Sequence, residues 1–198
     1  MTKRIAYLPL DIPKEDLFFV VQNYKSHPHN IWPDLWDCLP VCGKTDYWDA
    51  DSFYDAYIHR YDSDKPVNWN VPELKNIIGY FPGKITHAQI LNQKQIVPAH
   101  KDVPILKKQV EPAGFKIVLN NHLERSFFVK INGKKHFIKL PETTNCFAIN
   151  ESEVTHGSMM PTTAKYVVSC FGEIDEKLHE DLISRSLAKY GGEYGIFF

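Results

Sequence analysis

Three side chains in the second half of the sequence could together hold a metal ion. His100 and Asp102 stand two residues apart, and in an extended chain alternate residues point to the same side. His156 comes later, beyond a predicted hairpin and a further strand. Two imidazoles and one carboxylate on one face of an iron ion leave coordination positions open, which suits redox-active iron better than a closed structural zinc site. The sequence therefore predicts an open metal site at these three residues.

Lys165 is a candidate for binding an acidic ligand. It stands at the start of the last predicted strand, where alternation places it on the same face as Val167 and Ser169. A lysine that faces the interior of a fold is costly unless it meets an anion. An internal Lys165 would imply an acidic ligand, whereas an external one would be an ordinary solvated residue. The sequence leaves both interpretations open.

The elements that must position these residues are mainly strands. Runs of apolar and β-branched residues predict strands at residues 85–97, 115–119, 127–131, 134–140, 145–150, 154–156 and 164–171. Seven or eight short strands without intervening helices predict a mainly β fold with flanking helices. We expect an antiparallel sandwich or small barrel of the jelly-roll kind, that is a cupin-like double-stranded β-helix. In such a fold a later strand can return beside an earlier one and bring His156 next to His100.

The hairpin around Asn132-Gly133 is the clearest local signal. This dipeptide is the one that a two-residue type I′ turn requires, and strand-like segments flank it on both sides. A two-residue loop would place Phe128 and Phe137 opposite each other on one face of the hairpin. Because both faces carry apolar side chains, we expect the hairpin to lie within a layered sheet.

The two ends of the chain differ from this strand-rich middle. Asp11, Ile12 and Pro13 predict a helix that ends near Lys25, while residues 26–70, rich in aromatics and turn formers, predict irregular structure with short helices. Further helices are predicted near residues 70–79 and, after an acidic start, from residue 174 to the glycines at 191–192. We interpret the chain as one domain: a helical, aromatic-rich cover (1–84), a jelly-roll core (85–172), and a C-terminal helix and tail (173–198).

Composition excludes several classes of protein. The 198 residues include 23 Lys and Arg and 24 Asp and Glu, for a formal net charge of −1, which gives no basis for binding nucleic acid or an anionic membrane. The four cysteines are too few for a disulfide scaffold, and the spacing of Cys38 and Cys42 disfavours a structural zinc site. No apolar run suits a signal sequence or a membrane span, so we expect a cytoplasmic location.

Together these features resemble the Fe(II)- and 2-oxoglutarate-dependent oxygenases. The likeness lies in the His100-x-Asp102 motif, the distal His156, the cation Lys165 and the strands around them, over roughly residues 85–172. Segments 119–121, 127–129, 140–142 and 148–150 are similar to the core of the aspartyl/asparaginyl β-hydroxylase-like members. A lysine as the cation resembles the prolyl hydroxylase-like members.

The resemblance implies that His100, Asp102 and His156 bind iron. It also implies that Lys165 pairs with the distal carboxylate of 2-oxoglutarate. Many members of the family have an arginine at that position and a hydroxyl residue two positions later, whereas this chain has Val167 there.

A second donor to the same carboxylate is expected. An ammonium is a point charge, whereas a guanidinium binds a carboxylate bidentately. Gln89 and Lys116, on strands that flank the first two ligands, are the candidates. Arg125, in the turn before the hairpin, could reach a substrate carboxylate, although an ordinary surface arginine fits the sequence as well.

The activity implied by the resemblance is hydroxylation of an amino-acid side chain, in a polypeptide or free. The reaction would use O2 and decarboxylate 2-oxoglutarate to succinate. Two alternatives remain from the residues alone. One is a non-enzymatic jelly-roll module that binds an acidic ligand through Lys165, and the other is a cupin-like metalloenzyme with a different reaction, such as an isomerase or a zinc hydrolase.

Overall fold

The computed structural model describes residues 4–24, 26–28, 33–43, 67–102, 110–120 and 126–198. In chain order the strands are β1 (Ile5–Pro9), β2 (His27–Pro28), β3 (Trp36–Gly43), β4 (Asn68–Trp69), β5 (Gly83–Gln93), β6 (Val97–His100), β7 (Gly114–Val118), β8 (Phe127–Ile131), β9 (Lys134–Phe137), β10 (Cys146–Ile149), β11 (Thr155–Ser158), β12 (Tyr166–Ile174) and β13 (Ile196–Phe197). The helices are α1 (Val20–Asn23), α2 (Lys75–Ile78), which follows a 3-10 turn at Pro72–Leu74, and α3 (Glu176–Tyr190).

The described strands form two antiparallel sheets and confirm the predicted mainly β fold. The larger sheet has the order β13-β1-β10-β7-β12-β5-β3-β2, with β4 paired to β3. The smaller sheet has the order β6-β11-β8-β9. The predicted strand 85–97 is in fact two strands, because the chain leaves the larger sheet after Gln93 and enters the smaller one at Val97.

The predicted hairpin and its register are confirmed, but its second strand ends at Phe137 rather than at residue 140 and is the exposed edge strand of the smaller sheet. Asn132 and Gly133 have φ angles of 51° and 78°, the positive values that both central residues of a type I′ turn adopt. Phe128 pairs with Phe137 across the hairpin, and their rings meet edge to face with centroids 6.0 Å apart. The two-residue turn thereby sets the register of β8 against β9.

The long N-terminal helix predicted from Asp11 to about Lys25 is wrong, since only Val20–Asn23 is helical. The backbone N–H of Leu10 donates to the carbonyl of Cys146, and that of Lys14 donates to Thr143. The segment before α1 is therefore held against the chain around β10, and its backbone groups are committed to partners distant in sequence. These contacts outweigh the local helical pattern.

The expectation of irregular structure for residues 26–70 is also wrong where the structure describes this region. Residues 36–43 form β3, which pairs with β5 from Trp36 opposite Gln93 to Cys42 opposite Ala88. Together with β1, this strand places described parts of the first 84 residues within the larger sheet. The aromatic-rich residues 44–66 lie outside the described residues.

The helices predicted near residues 70–79 and in the tail are confirmed. Asp175 caps α3 by accepting a hydrogen bond from the backbone N–H of Leu178, and α3 ends before Gly191. No helix in the described part of the chain is both long and apolar enough to cross a membrane. All four cysteines are buried and free.

Two apolar clusters lie on opposite faces of the larger sheet. Ile90, Ile117 and Val168 belong to the cluster that includes residues of the helices. Their strand neighbours Val118 and Val167 belong to the second cluster, which residues of the smaller sheet complete. We call the face of each sheet that is turned toward the other sheet its inner face. The candidate site residues lie on these inner faces.

Candidate metal centre and anion pocket

The two histidines of the predicted triad meet on adjacent strands of the smaller sheet. His100 ends β6 and is directly opposite His156 of β11 in the antiparallel register, and their ring centroids are 4.5 Å apart. Close cross-strand pairs of this kind bring side chains within contact distance. As predicted, a later strand, β11, pairs with β6 and brings His156 next to His100.

Asp102 completes the cluster just after β6 ends. Its backbone N–H donates to the carbonyl of Glu151 at 2.9 Å, which ties the end of this segment to the turn before β11. One of its carboxylate oxygens, Oδ1, lies 3.2 Å from Nε2 of His100 and 3.7 Å from Nε2 of His156. A single carboxylate oxygen thus faces both imidazoles.

Backbone hydrogen bonds orient both imidazole rings in the same way. Nδ1 of His100 lies 2.7 Å from the carbonyl oxygen of Pro98, and Nδ1 of His156 lies 3.2 Å from that of Val154. Because a carbonyl accepts only from a protonated nitrogen, these contacts place the proton of each neutral ring on Nδ1 and leave the Nε2 lone pair toward Asp102. Metal-binding histidines are commonly fixed in this manner.

The donor set and its spacing fit a divalent metal ion. The three ligand atoms lie within 4.8 Å of one another, and this is the one such group of three among the described residues. Ligand atoms about 2.1 Å from one ion and at right angles to each other are separated by roughly 3 Å, so the two distances to Asp102 need little change. His156 is buried while His100 and Asp102 are about half exposed, which leaves one side of the cluster open.

Charge around the cluster keeps the carboxylate ionised. Burial by itself raises the pKa of Asp102, but the hydrogen bond with His100 and the charges of His156 and Lys116 outweigh it, so the net shift is downward. When His100 takes up a second proton, its Nε2–H donates to Asp102, and this hydrogen bond is the main reason that the pKa of His100 is raised; a metal ion would take the place of that proton. An ionised carboxylate beside two imidazoles is the state that binds a metal cation.

Lys116 is a largely buried lysine with a carboxylate partner. Its ammonium lies 2.8 Å from a carboxylate oxygen of Glu151 and donates to the hydroxyl of Ser169 at 3.0 Å. Burial alone would lower the pKa of Lys116, but the neighbouring Glu151 carboxylate outweighs that effect and the pKa is raised. Lys116 is therefore a charged residue whose charge the protein itself neutralises.

Lys165, in contrast, is surrounded by neutral groups. It is 1% exposed, and its ammonium donates to Oε1 of Gln93 at 3.1 Å and to the hydroxyl of Ser158 at 2.8 Å. The ring of Phe127 lies 5.0 Å from Nζ. Burial lowers the pKa of Lys165 to about 7. Within the part of the chain that the structure describes, no carboxylate forms an ion pair with this residue.

Phe127 connects the anion pocket, formed by Gln93, Ser158 and Lys165, to the metal centre. Its ring stacks on that of His156 with centroids 6.0 Å apart, and the Lys165 ammonium lies 5.0 Å from its centroid. The ammonium therefore lies no farther from the His156 ring than the sum of these two distances. A ligand of a few carbon atoms with a charged group at each end could reach both sites.

The structure thus brings together the triad and places Lys165 nearby, in the interior rather than in solvent. The suggested second donors lie elsewhere on the larger sheet: Gln89 contacts His87 and Cys38, and Lys116 contacts Glu151. Their role toward a carboxylate stays a prediction. Arg125, the suggested substrate contact, lies outside the described residues.

Sequence reasoning missed Ser158 and Gln93. Ser158 stands two residues after His156 on β11, so strand alternation could have placed both on one side. Gln93 shares the alternation of Gln89 on β5 in the same way. The sequence did not show that these two residues share a partner, because Lys165 meets Gln93 from 72 residues away and meets Ser158 across the turn between β11 and β12.

No protein-family model matches the chain, and no curated protein is similar enough in sequence to count as a relative. The geometry of the site therefore carries the functional argument.

Proposed function

We propose that the protein is an Fe(II)- and 2-oxoglutarate-dependent dioxygenase that hydroxylates an amino-acid side chain, either free or in a polypeptide. The observation that carries the proposal is the orientation of His100 and His156. Each ring is anchored through Nδ1 to a backbone carbonyl, and each presents Nε2 to one oxygen of Asp102. Two imidazoles and one carboxylate on one side of an ion are the ligand set of non-haem iron oxygenases.

The strand pairing supports a jelly roll as the fold that holds this site. Strands β5 to β12 pair as nested partners: β5 with β12, β6 with β11, β7 with β10, and β8 with β9. A long hairpin folded over on itself into two sheets has this order, and jelly rolls are built in that way. The metal ligands lie on the second and seventh strands of this series or just after them, which is why they meet.

The anion pocket supports 2-oxoglutarate as the co-substrate. A buried ammonium among neutral partners favours an anionic ligand because a counterion offsets the cost of burying the charge. The amide nitrogen of Gln93 donates to the carbonyls of Gln95 and Met159 at 2.6 and 2.8 Å, so this group is not free to donate to a carboxylate. The hydroxyl of Ser158 donates to Oε1 of Gln93 at 2.7 Å, but a hydroxyl can rotate to a new acceptor, so Ser158 is our candidate for the second donor beside Lys165.

The roles of the residues follow from their positions. His100, Asp102 and His156 would hold Fe(II), and Lys165 with Ser158 would orient the distal carboxylate of 2-oxoglutarate. The bound metal would supply the redox chemistry that couples decarboxylation of 2-oxoglutarate to hydroxylation by O2. Phe127 packs between the two sites and excludes water from their boundary. The open side of the cluster, at His100 and Asp102, leaves room for a substrate.

The decisive experiment begins with anaerobic protein, to which Fe(II) and then 2-oxoglutarate are added. We expect a weak visible charge-transfer band that requires both additions. Admission of O2 should then produce succinate in the wild type and none above background in His156→Ala. His179→Ala is a matched control, because His179 is also buried and also hydrogen-bonded to a backbone carbonyl, that of Pro112, yet lies outside the cluster.

Other outcomes would support the alternatives. Binding of 2-oxoglutarate without metal, and without succinate formation, would indicate a non-enzymatic module for an acidic ligand. Tight retention of Zn(II) with no response to 2-oxoglutarate would indicate a metalloenzyme of another reaction type. Absence of both the band and the succinate would contradict the oxygenase proposal.

A further inference from the structure

The anion pocket stabilises a neutral amine better than an ammonium. Lys165 has an amide oxygen, a hydroxyl and an aromatic ring as its neighbours, and these dipoles offset only part of the cost of burying a charge. Gln93 is held rigidly by two backbone carbonyls, and Ser158 also donates to Oε1 of Gln93 at 2.7 Å. Lys165, Gln93 and Ser158 thus satisfy one another's hydrogen-bonding groups, and none of them carries a negative charge that would neutralise an ammonium.

The charged side chains described on the strands around Lys165 do not form an ion pair with it. Among the described residues, the titratable groups on the strands around Lys165 are His156 on β11, Lys130 on β8, Tyr166 on β12, Lys94 after β5, and Lys135 on β9. His156 faces Asp102 and lies beyond Phe127, Lys94 pairs with Asp37 at 3.2 Å, and Lys135 contacts the sulfur of Met159. Burial is accordingly the one cause of the lowered pKa of Lys165.

We propose that 2-oxoglutarate enters the anion pocket together with a proton that Lys165 takes up, so that affinity for this co-substrate falls as the pH rises above neutrality. The inference rests on the proposed function and adds a form of pH regulation to it. In the free protein, burial among neutral partners favours the uncharged amine over the ammonium. A bound carboxylate supplies the missing counterion and favours the ammonium, which takes its proton from solvent; no other bond changes.

The size of the effect follows from linkage between the two equilibria. If one proton is taken up for each ligand bound, the affinity falls about tenfold for each pH unit above the point where the free amine loses its charge. Both carboxylates of the ligand are ionised throughout this range, so they contribute no pH dependence of their own. An arginine at this position would remain charged and would remove the effect.

The test is calorimetric titration of 2-oxoglutarate into protein saturated with Mn(II), which replaces iron and does not turn over. At pH 8, titrations in HEPES and in Tris give the number of protons taken up from the difference in heat. We expect nearly one proton per ligand for the wild type and none for Lys165→Arg. Between pH 7.5 and 8.5 the wild-type affinity should fall several-fold more than that of the variant.

A second measurement covers the case in which arginine does not fit the pocket. In protein with 13C-labelled lysine, the Cε resonance missing from the spectrum of Lys165→Met is assigned to Lys165. It should titrate near neutrality in the free protein and well above pH 9 in the complex. A Lys165 that titrates at an ordinary lysine pH, or equal proton uptake by wild type and Lys165→Arg, would overturn this inference alone. Failure of the Mn(II) protein to bind 2-oxoglutarate at any pH would overturn the proposed function as well.

Discussion

Lys116 and Lys165 are two lysines largely removed from water on the inner faces of the sheets, and they differ in what neutralises them. Lys116 lies beside Glu151 and close to the Asp102 ligand, and its raised pKa records a full carboxylate partner. Lys165 has neutral partners and a lowered pKa. The first is part of the protein's own charge balance, whereas no carboxylate among the described residues pairs with the second.

This difference indicates which of the two buried lysines is the better candidate for binding an anionic ligand. A buried ion pair is a structural device whose charges are already matched. A buried charge without a counterion destabilises the fold, and such residues are retained where function requires them. The contrast supports our proposal that the co-substrate binds at Lys165 and that Lys116 has a supporting role near the candidate metal ligands.

The largest expected effect comes from breaking the Lys116 pair. Glu151→Gln should lower the free energy of unfolding by about 3 kcal/mol, because it leaves a largely buried ammonium without its main counterion. Urea denaturation measures the change. The double variant Glu151→Gln/Lys116→Met should recover most of the loss, and a double variant no more stable than Glu151→Gln would show that the ion pair is not the cause.

Removal of the other lysine should affect binding rather than folding. Lys165→Met should weaken 2-oxoglutarate binding by about 100-fold or more, since a charge-assisted contact is lost, while binding of the metal ion stays within threefold. The same variant should be at least as stable as the wild type at pH 7. Calorimetry of metal-loaded protein compares it with Lys116→Met, and a greater loss of 2-oxoglutarate affinity in Lys116→Met would reverse the assignment.

The stability of the wild type should depend on pH in a direction set by Lys165. Its pKa is about 7 in the folded protein and has the ordinary lysine value when unfolded, so between these values the unfolded chain binds the extra proton. The free energy of unfolding therefore rises with pH in this interval. Relative to Lys165→Met, the wild type should gain about 2 kcal/mol between pH 7 and pH 9. Urea denaturation at both pH values checks this, and a constant difference would mean that Lys165 keeps its ordinary pKa.

The smallest effect distinguishes two buried serines that each accept a hydrogen bond from a lysine. Ser158→Ala should weaken 2-oxoglutarate binding about fivefold, which corresponds to roughly 1 kcal/mol for one hydrogen bond. Ser169→Ala, which touches Lys116 instead, should change the affinity by less than twofold. Equal effects of the two substitutions on this affinity would remove Ser158 from the carboxylate site.

Local patterns predicted the parts of the fold that depend on neighbouring residues. Asn132-Gly133 identified the hairpin because a two-residue turn with positive φ angles needs those residue types. His100-x-Asp102 predicted two members of the candidate metal cluster because alternation is a local property of extended chain. The helix expected at residues 11–25 failed for the opposite reason. The backbone groups of Leu10 and Lys14 bond to residues near β10, and no local pattern reveals such partners.

The sequence by itself determined the candidate ligands His100, Asp102 and His156, the mainly β class and the hairpin register. Tertiary structure decided that His156 lies opposite His100, that Lys165 is internal, and that Gln93 and Ser158 surround it. It also decided which lysine has a counterion. The physical reason is that hydrogen bonds and charge interactions act over a few ångströms in space, whereas the groups that make them here come from strands far apart in the chain.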